Sequence, residues 1–317
     1  MLTTFREHSM LSFWCRARTV IDKPNDIRLR RWKAVLGPLA RIVLAVVAVY
    51  AAVAIAEMVV KSLRGVLSLG GAVPATYYLA YLIVSVLVAS FTYRAYVRLV
   101  EKRPVSELSG SGAPSELGVG ALVGLGLAAA TTGVLWALGF YGVAGTSTFT
   151  VLFVLVANDG AGAFVEEILL RGVVFRITEE TLGTWIALMV SAVLFSLLHL
   201  GSPGANLVST VVVGVEGGIL LSAAYVLTRR LWLAIGIHFG WDFSQDALFG
   251  VGSGAKGLVR GELSGPEMLS GGNAGIEGSV VALLLSLGVA TYLLVRANQR
   301  GNIMSPAWNR QRQRTVR

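Results

Sequence analysis

The stretch TFTVLFVLVANDGAGAFVEEILLRGVV, residues 148–174, decides how this chain is read. It is apolar for most of its length, yet it carries Glu166, Glu167 and Arg171 near its end. Two further apolar stretches follow the same pattern: one closes on Phe195-Ser196-Leu197-Leu198-His199, the other contains His238-Phe239-Gly240-Trp241-Asp242. The chain has only three histidines, and the remaining one, His8, lies in the polar N-terminal region. Ionisable side chains at membrane depth are costly, so they are rare and face a partner or a protein-lined cavity. Three such motifs on separate segments imply one shared polar site.

Composition supports the membrane setting. Of 317 residues, 55% are hydrophobic and only 14% are charged, and the mean hydropathy is +0.69. These values exclude an ordinary soluble domain and indicate an all-α, polytopic helical membrane protein. Apolar runs suggest about eight transmembrane helices, near 37–60, 73–97, 117–140, 148–174, 184–200, 206–228, 231–250 and 278–296. The expected organisation is a basic N-terminal segment over 1–36, one membrane domain over 37–296 with the motif-bearing core at about 148–250, and a basic tail over 297–317. No signal peptide is evident, because the first 33 residues are mixed and charged. The one cysteine, Cys15, rules out an internal disulfide and a cysteine-built metal cage.

The net charge is +9, and its placement carries the topology. Arginines and lysines crowd both ends, and further basic residues follow the second, fourth and eighth spans and separate the sixth from the seventh. With both termini cytoplasmic, nearly all basic loops fall inside, against anionic headgroups rather than nucleic acid. Lys61 and Arg64 are exceptions, and Lys61 is expected to snorkel beside Glu57, four residues earlier. The Gly- and Ser-rich segment 251–277 reads as an irregular outer loop. Glu101–Leu108 reads as an interfacial connector that ends a helix before Pro104.

Helical spacing makes the three motifs chemically specific. Positions i and i+4 share a face, which pairs Glu167 with Arg171, Phe195 with His199 and His238 with Asp242. Glu166 points about 100° away from Glu167. One carboxylate can therefore face a cavity while the other pairs with Arg171. A carboxylate taken out of water is a stronger base near neutral pH, and an imidazole beside it can hold a water. Glu216, central in the sixth span, is a further candidate for the same cavity.

Taken in order, E-E-x-x-x-R, F-x-x-x-H and H-x-x-x-D resemble the CPBP family of intramembrane proteases, the CAAX-processing and bacteriocin-immunity (Abi) group of Ras-converting-enzyme type. The resemblance covers roughly 150–245 and includes the lead-in Tyr225–Trp232. It implies a conical catalytic core, with Glu166 as general base aided by His199. Glu167 and Arg171 would organise the site, and His238 with residue 242 would stabilise an oxyanion. The family usually has Asn at that last position. An ionised Asp242 would repel an oxyanion, so it is either protonated, an orienter of His238, or a metal ligand. Family members are often labelled metalloproteases, and Glu166, His199 and His238 could ligate zinc. The helical H-E-x-x-H motif is absent, however, and a cofactor-free mechanism is favoured. The implied partners are a peptide or lipidated protein substrate and membrane lipid. A non-catalytic scaffold or immunity protein of the same fold, a proton-coupled transporter and a bis-histidine haem protein are the alternatives.

Depth poses a difficulty. At ~1.5 Å per residue, Glu166 lies about 15 Å from Arg176, His238 about 10 Å from Leu231, and His199 about 22 Å from Thr184. Upright helices would leave these groups up to ~12 Å apart in depth. The fifth span is therefore expected to tilt or to start deeper than its sequence limits imply.

Overall fold

Long apolar helices are the first product of this composition. In a computed structural model, which describes residues 24–68, 75–252 and 257–310, they are α1 (Pro24–Ser68), α2 (Ala75–Tyr96) and α3 (Ala113–Ala137). A short strand β1 (Tyr141–Thr146) leads to α4 (Thr150–Glu167), which continues as a π-helical segment over Ile168–Phe175 into α5 (Arg176–Leu182). Next come α6 (Thr184–His199), α7 (Leu207–Thr228) and α8 (Trp232–Phe243), the last extended by π turns over Ser244–Leu248. Strand β2 (Val259–Leu263), the short α9 (Glu267–Ser270) and α10 (Val280–Gln299) follow. Residues 1–23 and 311–317, which hold much of the basic charge at both ends together with His8 and Cys15, lie outside the described residues.

The all-α polytopic architecture is as the composition requires. Five helices among the described residues are long and apolar enough to cross a membrane: Gly37–Arg64, Ala75–Glu101, Ala113–Ala137, Leu207–Thr228 and Val280–Gln299. The other three expected spans are shorter helices of 18, 16 and 12 residues (α4, α6 and α8). These three carry the motif residues, and two of them run on as π turns. The 251–277 segment is not wholly irregular. Its strand β2 pairs antiparallel with β1, Tyr141 opposite Leu263, with a bulge between Val143 and Gly145. Irregular composition concealed this strand because a Gly-rich edge has little periodicity to read.

Residues 41–317 form one compact unit. Helix α7 is its interior element: 67% of its most apolar window is buried, against 17–33% for the other four long helices. Glycine seams bring α6 and α8 close to their neighbours. On α3, Gly120 and Gly124 meet Gly236 and Gly240 on α8, backbone against backbone. A Cβ at Gly124 would sit 2.2 Å from the Ile237 carbonyl oxygen, and one at Gly240 would sit 2.3 Å from that of Ala121. On α7, a Cβ at Gly214 would fall 1.7 Å from Ser196 Oγ, and one at Gly218 would fall 2.5 Å from Ala192 Cα of α6. Small residues four apart let helix backbones approach closely where lipid supplies no hydrophobic drive between helices. The two seams fix the helices that carry His199 and His238.

An ion network ties α5 to Arg41 of α1 and to the connector that follows α2. Glu101 accepts from Arg176 and Arg103 at 2.8 Å, and also from Arg41. Arg103 pairs with Glu107 at 2.7 Å, and Arg176 donates to Glu180 at 2.6 Å. Glu101 and Glu107 are buried, so the 101–108 connector is a packed ledge rather than a surface strap. Thr184 at the start of α6 is fully buried and donates to Glu179 at 2.6 Å. Asn302, within the expected tail, caps α7 by donating to the Val226 and Leu227 carbonyls at 3.0 Å. Lys61 lies 3.1 Å from Glu57, which also accepts from Tyr81 at 2.8 Å.

Candidate active site

Consecutive glutamates at the end of α4 point to different surroundings, as the helical 100° offset requires. Glu167 is fully buried. Its Oε1 accepts from Arg171 Nη1 at 2.7 Å and from His238 Nδ1 at 2.9 Å. Arg171, also fully buried, donates through Nη2 to the Gly217 carbonyl of α7 at 2.7 Å. Its guanidinium stacks over the Phe195 ring at 5.1 Å. One side chain therefore ties α4, α6 and α7 together. Arg171 lies within the π-helical turns that directly follow Glu167, and single π turns inside α-helices recur at functional sites.

Glu166 faces the other way, with 43% of its side chain exposed. It lines a cavity of about 220 Å³ together with His199, His238 and Asp242. Glu166, His199 and His238 line one cavity, and α6 begins at Thr184, where its sequence limits place it. Phe195 makes the meeting visible. Its ring stacks on His199 at 4.6 Å and lies 6.2 Å from His238.

Each imidazole is oriented by a defined acceptor. His199 Nδ1 lies 2.9 Å from the Phe195 carbonyl, an oxygen that can only accept. The proton on His199 is thereby assigned to Nδ1, which leaves the Nε2 lone pair free. His238 donates from Nδ1 to Glu167, while its Nε2 sits 3.3 Å from Asp242 Oδ2 and 3.9 Å from Glu166 Oε2. With both nitrogens against carboxylates, His238 has none left for a haem iron.

The predicted zinc donors share a wall without forming a ligand set. Among the described residues, no three His, Cys, Asp or Glu side chains come together as a group that could hold a metal ion. The residues present do not fit zinc as arranged, and no step below is routed through a metal.

Further polar groups in the cavity escaped sequence reading. Asp159, two turns before Glu166 on α4, lines it, as do Gln245, Asp246 and Glu277. Glu216 lines it too, from the centre of α7, with Oε1 accepting from Ser286 of α10 at 3.0 Å. Asp159 was legible, since it is a carboxylate in an apolar span seven residues before Glu166. Glu277 was not, because it enters from the segment between α8 and α10 through a fold-back that no local pattern announces.

The fold and site define a polytopic helical membrane protein with a buried carboxylate–imidazole centre. Residues 146–244 match the family model described as type II CAAX prenyl endopeptidase Rce1-like, which bears out the resemblance read from the three motifs over that part of the chain. The matched family is one of proteases, and every motif residue from Glu166 to Asp242 lies within the match. No curated protein and no solved structure matches the chain.

Proposed function

We propose that this protein is an intramembrane endopeptidase that hydrolyses peptide bonds of membrane-associated or lipidated, CAAX-type substrates with water activated by Glu166 and His199. The observation that carries the reading is the convergence of Glu166, His199 and His238 on one cavity, with Glu167 and Arg171 locked behind it. The Rce1-like match supports the substrate class.

The chemistry follows from the hydrogen bonds. A water between Glu166 and His199 Nε2 gives its proton to Glu166 as its oxygen attacks the scissile carbonyl carbon. The carbonyl oxygen takes up the negative charge. His238, held by Glu167 at Nδ1, carries its second proton on Nε2 and presents that N–H to the developing oxyanion. Asp242 holds the same N–H in the resting site, and the substrate oxygen takes it over. Asp242 thus orients His238 rather than contacting the oxyanion itself, which accounts for an acid where the family usually has Asn. Glu166 then passes its proton to the leaving nitrogen as the C–N bond breaks, yielding an amine and a carboxylic acid, which releases its remaining proton to solvent as a carboxylate. The charge bias of the loops favours both termini in the cytoplasm.

The test is cleavage of a quenched, farnesylated CAAX peptide by the purified protein in lipid nanodiscs. Wild type is expected to cleave, and Glu166→Gln and His199→Ala are expected to fail. A chelator in the same assay is expected to change nothing. Equal turnover by wild type and Glu166→Gln would sink the proposal.

A further inference from the structure

The cavity contains more acid than hydrolysis requires. Beyond Glu166 and Asp242 it is lined by Asp159, Glu216, Asp246 and Glu277, and no lysine or arginine among the described residues lines its wall. Its unpartnered buried atoms are of one kind. Glu216 is 5% exposed and its Oε2 has no hydrogen-bond partner. Gln245, equally buried, has an unpartnered Oε1, and so does Asp159 at Oδ2. All three are acceptors that call for a donor. Like charges confined together out of water are costly unless a cation or protons neutralise them. The cavity holds no group of three suited to a metal ion among the described residues, whereas an ammonium offers three donors and a guanidinium five.

Resting on the protease reading, we infer that Glu216, Asp246 and Asp159 form a subsite for a cationic side chain of the substrate, so that this enzyme selects peptides with a lysine or arginine beside the scissile bond. Glu216 is the anchor. Ser286 fixes one of its oxygens and the other, also buried, has no hydrogen-bond partner. Asp246 and Asp159 line the same space from the π turns after α8 and from α4, so a cation held there is met from three elements. The neighbouring Gln245 donates Nε2 towards Glu277 at 3.4 Å, which turns its Oε1 away from that carboxylate and leaves it free to accept.

The experiment uses two farnesylated CAAX peptides that differ only in lysine versus norleucine at each position flanking the cleaved bond. Binding to the full-length protein in nanodiscs is read by fluorescence anisotropy, and cleavage by product release. The lysine peptide is expected to bind and to be cleaved (kcat/KM) about tenfold better at one of these positions, as removal of a buried charge partner implies. Glu216→Gln and, separately, Asp246→Asn are expected to bring that ratio near one, with thermal unfolding confirming that each variant is folded. Equal binding of the two peptides to wild type overturns the inference and shows that protons neutralise the cavity. So does a ratio that survives in both folded variants. A lysine preference in binding without cleavage leaves the subsite standing and defeats the protease reading. Cleavage without preference does the reverse.

Discussion

Two acidic regions of this molecule differ in how their charges are matched. At the ledge, Glu101, Glu107, Glu179 and Glu180 each meet an arginine: Arg41, Arg103, Arg176 and Arg229 supply the opposing charges. In the cavity, Asp159, Glu216, Asp246 and Glu277 meet no arginine or lysine among the described residues, where the cation-capable groups of the wall are His199 and His238. The two regions are similarly rich in carboxylates. A matched carboxylate is spent on holding elements together, while an unmatched one remains free to act on a ligand. Glu166 and Glu167 draw the same distinction within a single dipeptide.

The largest expected effect comes from the unmatched member of that dipeptide. Glu166→Gln should lower kcat by about 10²–10⁴-fold, the usual worth of a general base, while the thermal midpoint stays near that of wild type. If Glu101→Gln lowered activity as far at an unchanged midpoint, the division between holding and acting carboxylates would collapse.

The matched member should act on stability instead. Arg171→Ala leaves the buried Glu167 with His238 as its remaining partner, and breaking such a buried pair costs up to about 3–5 kcal/mol. The measurement is unfolding in detergent, with Arg171→Lys as a partial rescue. A midpoint within error of wild type would mean that the pair contributes nothing to holding α4 against α7.

Seam substitutions come next. Gly124→Leu or Gly240→Leu forces side-chain atoms into a facing backbone, and overpacking of this kind costs about 1–3 kcal/mol or more. Both variants should lose activity with stability, because α8 carries His238. Unaltered turnover in Gly240→Leu would show that close approach of α3 and α8 is not what places the imidazole.

The smallest effect concerns pH. Burial, reinforced by the charge of Asp242, pushes the Glu277 carboxyl up to about 7. An acid whose folded value exceeds its unfolded one, near ~4.3, favours the folded state fully below that value. This contribution is lost as pH rises through about 7. Glu277→Gln should therefore flatten the fall in thermal midpoint between roughly pH 5 and 8, by a few degrees at most. A fall that persists unchanged in the variant would assign it to other groups.

Much of this was legible because membrane sequences are strongly constrained. An apolar run with a charge in it is conspicuous, so Glu166, Glu167, Arg171, His199, His238 and Asp242 could be named before any fold was known. The i, i+4 rule paired Glu167 with Arg171 correctly because it depends only on helix geometry. Small-xxx-small spacing at Gly120/Gly124, Gly214/Gly218 and Gly236/Gly240 was equally present in the sequence, and it marks the seams.

The chain order of residues could not say which groups meet. Glu167 bonds His238 across 71 positions, and Glu216 meets Ser286 across 70. Such contacts depend on how helices cross, which is a property of whole packed surfaces and not of any local window. The sequence by itself determined that this protein lives in a bilayer and which side chains are out of place there. Only the tertiary structure decided that His199 lines the same cavity as Glu166, and that Asp159, Asp246 and Glu277 join them. The reason is physical: a period of 3.6 residues fixes which way a side chain leaves its own helix, whereas its depth and neighbours are set by close packing against the others.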